Sequence, residues 1–257
     1  MKYKVSDIIG FMENWAKPEE QESWDNSGFQ LMLDNETDKI ILSLDITDEV
    51  IDYAINNKAN LIISHHPMIM GGIKNIDIRT YKGLNLIKAI KNDISIYSAH
   101  TSLDVAYGGV NDTIAKILGL NKQQPLAKMD NGINIGIVGE LEKSYTSEEI
   151  ETQIKDKFQI SYINKYGRKN DNIKKIALCG GSGAEFIKDA IENDIDLYIT
   201  GDIKHHDAQY GYEEGLYIFD ISHYESERPV LNTIKSKLKE KFNLEIILLM
   251  ENYFNIR

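Results

Sequence analysis

Short apolar runs alternate along this chain with stretches in which apolar positions recur every three or four residues. The short runs, rich in Ile, Leu and Val, predict strands over Lys39–Leu44, Leu61–Ser64, Ile94–Ala99, Ile133–Val138, Lys175–Cys179, Leu197–Thr200, Leu216–Ile221 and Leu244–Leu249. The longer-period stretches predict helices over Asp48–Asn57, Tyr81–Asn92, Asn111–Leu118, Ser147–Phe158, Ala184–Asn193 and Pro229–Phe242. The opening MKYKVSDIIGFMENWAKP meets Glu13 before a long apolar run forms, so it reads as an amphipathic helix and not as a signal peptide. Such alternation of strand and helix implies an α/β protein with mixed, partly parallel sheets.

The pattern also repeats. Laid without a gap over 175–200, residues 39–64 match at ten of 26 positions: Lys39, Ile40, Leu42, Glu49, Ile51, Ala54, Ile55, Asn57, Leu61 and Ile63. Both copies read strand, loop, helix, strand, and both run into a His-His pair. An internal duplication predicts two similar α/β units with a site in the cleft between them. QQPLAK at 123–128 interrupts the pattern and is taken as the boundary. The first unit, carrying the metal ligands argued below, is expected to be 1–125 plus 222–257. The second, inserted unit is expected to be 126–221, carrying GDIKHHD.

Composition narrows the function. A net charge of −11 argues against a general binder of nucleic acid or anionic membranes, both of which need a positive surface. One cysteine, Cys179, allows no intrachain disulfide, which fits a reducing, cytoplasmic setting. It reads as a buried strand residue, since no neighbour would stabilise a thiolate. No stretch approaches the length of a membrane span.

All six histidines fall in clusters that directly follow predicted strands: His65 and His66 in ISHHP, His100 in AHTSLD, His205 and His206 in GDIKHHD, His223 in SHYESE. The carboxyl ends of parallel strands are where open α/β sheets hold ligands. Carboxylates stand close by at Asp104, Asp202 and Glu227. Imidazoles and carboxylates without thiolates suit Zn, Mn, Fe or Co. The five donors His65, His66, Asp104, His223 and Glu227 are too many for one open catalytic ion. They suit two divalent ions that share a bridging carboxylate. His65 and His66, if extended, point to opposite sides and could serve different ions. Around His223, either Ser222 caps a helix with Glu225, or Ser226 caps it and Pro229 lies in the first turn. Gly180-Gly181-Ser182-Gly183, between a strand and a helix, is open to two readings, a phosphate seat or a tight turn.

At these motifs the chain resembles the GTP cyclohydrolase 1 type 2 homologues, also called Nif-three-like proteins. The resemblance rests on Trp24-Asp25-Asn26-Ser27-Gly28, Ser64-His65-His66-Pro67, His100-Thr101-Ser102-Leu103-Asp104, Gly201-Asp202-Ile203-Lys204-His205-His206 and His223-Tyr224-Glu225-Ser226-Glu227, and so covers nearly the whole chain. It implies a two-domain α/β protein of the family's short form, with a dinuclear metal centre, assembled as a toroidal homohexamer. It further implies His66 and Asp104 on one ion, His65 and His223 on the other, and Glu227 between them. Where the family commonly carries glycine before the last histidine, this chain has Ser222, a departure expected to alter only the turn. His100, His205, His206 and Asp202 are then candidates for catalysis or for orienting ligands, or else for ordinary packing. Asp25 and Asn26 are expected to shape a turn or an interface, and Trp24 to be core or subunit contact. The implied activity is hydrolytic opening of a purine nucleotide ring, with Lys204 and Arg228 the cations nearest the motifs for a triphosphate. Alternatives are a phosphoesterase or amide hydrolase using the same metals, and a non-enzymatic regulatory or metal-handling assembly.

Overall fold

The computed structural model describes residues 1–252. The chain divides into two compact units: Met1–Tyr107 together with the chain from Leu231 onward, and Gly108–Val230.

The first unit opens with β1 (Tyr3–Lys4) and α1 (Val5–Trp15), followed by β2 (Gly28–Leu31), β3 (Glu36–Thr37), β4 (Lys39–Ser43), α2 (Asp48–Asn57), β5 (Leu61–Ser64), α3 (Tyr81–Lys91), β6 (Ser95–Ser98) and α4 (Thr101–Val105). In α2, Thr47 accepts from the Val50 amide as N-cap, and Val50, Ile51 and Ala54 form the buried stripe. That stripe packs with Ile41, Ile62, Leu86, Ala89 and Ile96 in one core cluster. Each fully buried valine or isoleucine among them contributes about 1.5–3 kcal/mol.

The second unit contains α5 (Val110–Leu118), β7 (Asn121–Lys128), β8 (Asn134–Tyr145), α6 (Ser147–Phe158), β9 (Asn164–Gly167), β10 (Ile173–Ser182), α7 (Ile187–Glu192), β11 (Leu197–Gly201), α8 (His205–Glu213), β12 (Tyr217–Asp220) and α9 (His223–Glu227). Its six-stranded sheet runs β7-β8-β10-β11-β12-β9, with β10, β11 and β12 parallel and the other pairings antiparallel. The chain then passes through α10 (Val230–Lys241) to β13 (Glu245–Leu249). There β13 pairs in parallel with β4 and completes the first unit's five-stranded order β13-β4-β5-β6-β2, in which only β2 is antiparallel.

The α/β class expected from the sequence is present, with mixed sheets in both units. The repeated segments have the same local architecture. Ile40 faces Leu61 across β4 and β5, and their counterparts Ile176 and Leu197 face each other across β10 and β11. In both units a third parallel strand, β6 or β12, then leads into a one-turn helix. That helix carries a carboxylate four residues beyond a histidine: His100 and Asp104, His223 and Glu227.

The unit boundaries differ from those expected at two places. Residues 108–125 and 222–230 fall in the second unit. The QQPLAK segment is not a break but most of β7, an edge strand paired with β8, where Pro125 lacks an amide that the outer edge does not need. The 222–230 segment stays with the second unit because α9 packs on α5, β10 and β11. His223 and Glu227 therefore belong to the second unit, not to the first. Residues 253–257 of the expected first unit lie outside the described residues. Among the described residues no helix is long and apolar enough to cross a membrane.

Candidate metal centre

In the first unit the serines that end the three central strands hold the donor loops. Ser43 Oγ donates to the Asp45 carbonyl at 2.7 Å, and Ser64 Oγ to the His66 carbonyl at 2.8 Å. Ser98 Oγ meets Ser64 Oγ at 2.7 Å. The ladder continues past the strands, since the His65 and His66 amides donate to the Ser43 and Leu44 carbonyls. Both histidines are thereby fixed at the carboxyl edge of the sheet, where the sequence put them.

Their rings are oriented by oxygen. His65, fully buried, turns Nδ1 to the Ala99 carbonyl at 2.7 Å, and His66 turns Nδ1 to Asp45 Oδ1 at 2.8 Å. His100 turns Nδ1 to Asp25 Oδ1 at 2.6 Å. A carbonyl or carboxylate oxygen only accepts, so each Nδ1 carries a proton and Nε2 is the nitrogen that a metal would take. One nitrogen from each of His65, His66 and His100 lies within 4.8 Å of the other two. Asp104 Oδ1 stands 3.6 Å from His65 Nε2. The resemblance grouped Asp104 with His66; the structure brings the carboxylate against His65.

Asp25 is more than a turn residue. Its side chain is buried, and besides His100 it accepts from the Thr101 amide, the Thr101 hydroxyl, the Ser27 hydroxyl and the Asn26 amide. Burial alone would raise its carboxyl. The His100 hydrogen bond and charge, with Thr101 and Asn26, outweigh burial and hold the carboxyl well below the usual range. Asn26 does shape the loop, donating through Nδ2 to the Ile69 carbonyl. Trp24 is not core within this chain: it is 59% exposed and sets its ring edge-on to His100, centroids 5.8 Å apart.

In the second unit His223 repeats the scheme. Nδ1 meets Asp202 Oδ2 at 2.8 Å and Nε2 lies 3.2 Å from Glu227 Oε1, so the i,i+4 spacing does put both on one face of α9. Ser222 is the N-cap, accepting from the Glu225 amide at 3.3 Å, and Pro229 falls between α9 and α10. Ser226 is not the cap. Its hydroxyl donates to the His223 carbonyl and accepts from the Gly181 amide.

The glycine-rich stretch has a structural task. Its amides are engaged inside the unit: Gly180 with Asn111 Oδ1, Gly181 with Ser226 Oγ, Gly183 with Thr200 Oγ1. Those bonds occupy the donors a phosphate would need. A Cβ on Gly181, at φ +70°, would stand 2.4 Å from Glu227 Oε1. The bare backbone is what leaves room for the buried carboxylate.

The other expected residues lie apart from these donors. His205 and His206 open α8 with exposed rings 5.2 Å apart and join none of the metal-capable groups among the described residues. Lys204 is exposed just before them. The Arg228 guanidinium is held by Glu225 and by the Phe158 carbonyl. Asp45, not singled out in the sequence, was legible by the same rule as the histidines, as a carboxylate just past a parallel strand.

The donors fit a divalent metal. They are imidazole nitrogens and carboxylate oxygens only, and each imidazole donates its other nitrogen to an oxygen, as metal-binding histidines do. The model of one family, Duf34/NIF3 (NGG1p interacting factor 3), matches residues 3–253. A Clostridium perfringens (strain 13 / Type A) protein named GTP cyclohydrolase 1 type 2 homolog is 41% identical over 247 residues, 95% of this chain and 94% of its own length. The crystal structure of a Bacillus cereus protein related to NIF3 superposes with a TM-score of 0.91 at 24% identity, covering 99% of both chains. Reduced HcgD from Methanocaldococcus jannaschii superposes with a TM-score of 0.84 at 32% identity, covering 97% of this chain and 98% of its own.

Proposed function

The chain belongs to the Duf34/NIF3 family, and on that premise we propose that it is a divalent-metal-dependent hydrolase whose two donor sets form one dinuclear centre. The observation that carries this reading is the common orientation of His65, His66, His100 and His223, each with Nδ1 on an oxygen, so that Nε2 is the nitrogen that would face a metal. In this reading His65 and Asp104 would hold one ion, His66 and His223 the other, and Glu227 would contribute to both. That exchanges the two adjacent histidines relative to the assignment the resemblance implied, on the strength of the 3.6 Å approach of Asp104 to His65. Zinc, manganese, iron or cobalt suits the donors.

Two such ions would supply a hydroxide at neutral pH. The protein's own part is to orient the imidazoles through Asp45, Asp202 and the Ala99 carbonyl, and to hold a proton-accepting atom nearby. His100 Nε2 takes that role, with Asp25 fixing the ring through Nδ1. The relatives' name nominates guanosine triphosphate, opened hydrolytically at the imidazole ring of the purine with release of formate. The exposed Lys204 suits a triphosphate better than Arg228, whose guanidinium is already engaged. The toroidal homohexamer belongs to the same proposal, and light scattering reads it directly: a stable monomer at micromolar concentration rejects the ring.

The test is metal analysis of native protein, followed by mass spectrometry of reactions with GTP, other nucleotides and phosphoesters. The reading expects two ions per chain, turnover of at least one substrate, and loss of both in His66→Ala and Glu227→Ala. Loss of metal in the variants with no substrate ever turned over by the loaded protein would leave a metal-binding regulatory or metal-handling assembly in its place.

A further inference from the structure

Beside His66, and wholly within the first unit, lies a cavity of about 400 Å³. That volume is in the range that takes a nucleoside-sized molecule. Its wall is mostly apolar, with Met68 and Met70 from the segment after the His-His pair, and Tyr81 and Lys82 from the first turn of α3.

Asn85 is the anomaly in this wall. It sits on the buried face of α3 with Leu86 and Ala89, and is 1% exposed. Neither its amide nitrogen nor its carbonyl oxygen has a hydrogen-bond partner among the described residues. Nearly all buried side-chain amides are satisfied, and one that is not carries the desolvation cost without return. Packing alone would favour leucine at this position.

We propose that the cavity is a recognition pocket for a planar heteroaromatic ring that presents an adjacent N–H and C=O to the Asn85 amide. A carboxamide offers one donor face and one acceptor face side by side, and a lactam edge is its complement. Met68 and Met70 are flexible thioethers that can yield to bring the ring to the amide and then pack on its face. Tyr81, 67% exposed at the start of α3, supplies a stacking surface. Lys82 is half-buried, with Nζ 5.9 Å from the Tyr81 ring centroid and no ion-pair partner among the described residues; the carboxylates in the same wall, Asp45 and Asp48, are engaged by His66 and Lys88, which leaves Lys82 for an anionic substituent of the ligand. The choice of a purine as probe rests on the proposed function; His66 and Asp45 border the cavity on the side of the proposed ligands, whereas Asn85 and Lys82 stand outside that set.

The experiment is calorimetric titration of the full chain, stripped of metal with chelator, using guanosine 5′-monophosphate. Controls are guanosine and the 1-methylated nucleotide, whose N–H is blocked. Saturable binding to the wild type is expected, weakened at least tenfold by 1-methylation and by Asn85→Leu. Lys82→Gln should weaken the nucleotide and leave guanosine unchanged. Asn85→Leu should also raise the melting temperature of the free protein, because a buried amide without partners is replaced by a packed side chain. Absence of nucleotide binding to the wild type, binding indifferent to 1-methylation or to Asn85→Leu, or a lowered melting temperature in that variant would each overturn the proposal. Since the titration is metal-free, a protein that binds the nucleotide but, loaded with metal, turns over no substrate of the panel sinks the hydrolase reading alone.

Discussion

Ser222 holds φ +71° and ψ 154°, a backbone region almost reserved for glycine, immediately before a candidate ligand. The strain costs about 1–3 kcal/mol, while losing a serine cap to glycine costs only a few tenths. Ser222→Gly should therefore stabilise the protein by about 1 kcal/mol in urea unfolding, with metal content unchanged; a destabilised variant would mean the cap outweighs the strain. Asp25 shows the opposite logic, a residue whose many bonds stabilise the local structure. Its folded pKa lies below its unfolded value, so its contribution is present above about pH 4 and lost as pH falls through the folded pKa. Asp25→Asn turns an N–H toward the Thr101 donors and should cost about 1–3 kcal/mol at pH 7. The gap from wild type should narrow below pH 4, as urea titrations at several pH values would read. Nothing in the sequence marked Asp25 as the partner of His100. The two are brought together only by the fold, as β2 pairs with β6.

At the scale of elements, the interior strands and capped helices were plain from sequence. Asp48–Asn57 and Ser147–Phe158 match their predicted spans because Thr47 and Thr146 cap them and their apolar stripes are continuous. The strands that escaped were edge or exposed ones. β7 reads NKQQPLAK and β9 reads NKYG, with too little apolar content for a period to show. The five proposed ligands were legible because they follow interior strands; what orients them was not. The end of β10 is the clearest instance. Its register with β11 shifts between Leu178 and Ser182, and the bulge with its bare Gly181 backbone makes the hollow that Glu227 fills. Gly181→Ala must push the carboxylate aside. Metal affinity should fall about 10- to 100-fold, a magnitude typical of a lost supporting contact. Far-ultraviolet dichroism should stay that of the wild type. Unchanged metal affinity would show that Glu227 is not a ligand.

At the scale of the whole molecule, the proposed donors divide between the units: His65, His66 and Asp104 in the first, His223 and Glu227 in the second. In the proposed assignment each ion takes donors from both units, so shared ions would tie the folding of one unit to that of the other. Any metal bound only by the native state stabilises it by about 2.7 kcal/mol when free metal is a hundredfold above its dissociation constant. For a chain of this size that corresponds to a rise of roughly 5–10 °C in melting temperature. The loaded protein should melt in one transition. Chelated protein should melt lower and in two, as each unit follows its own core. His66→Ala gives the decisive comparison, since it removes a donor from the first unit only. Under shared ions it must also lower the transition of the second unit, followed by hydrogen exchange at β10 and β11 amides. If exchange there is indifferent to His66, the two histidine sets bind metal separately, and the dinuclear centre gives way to two mononuclear sites.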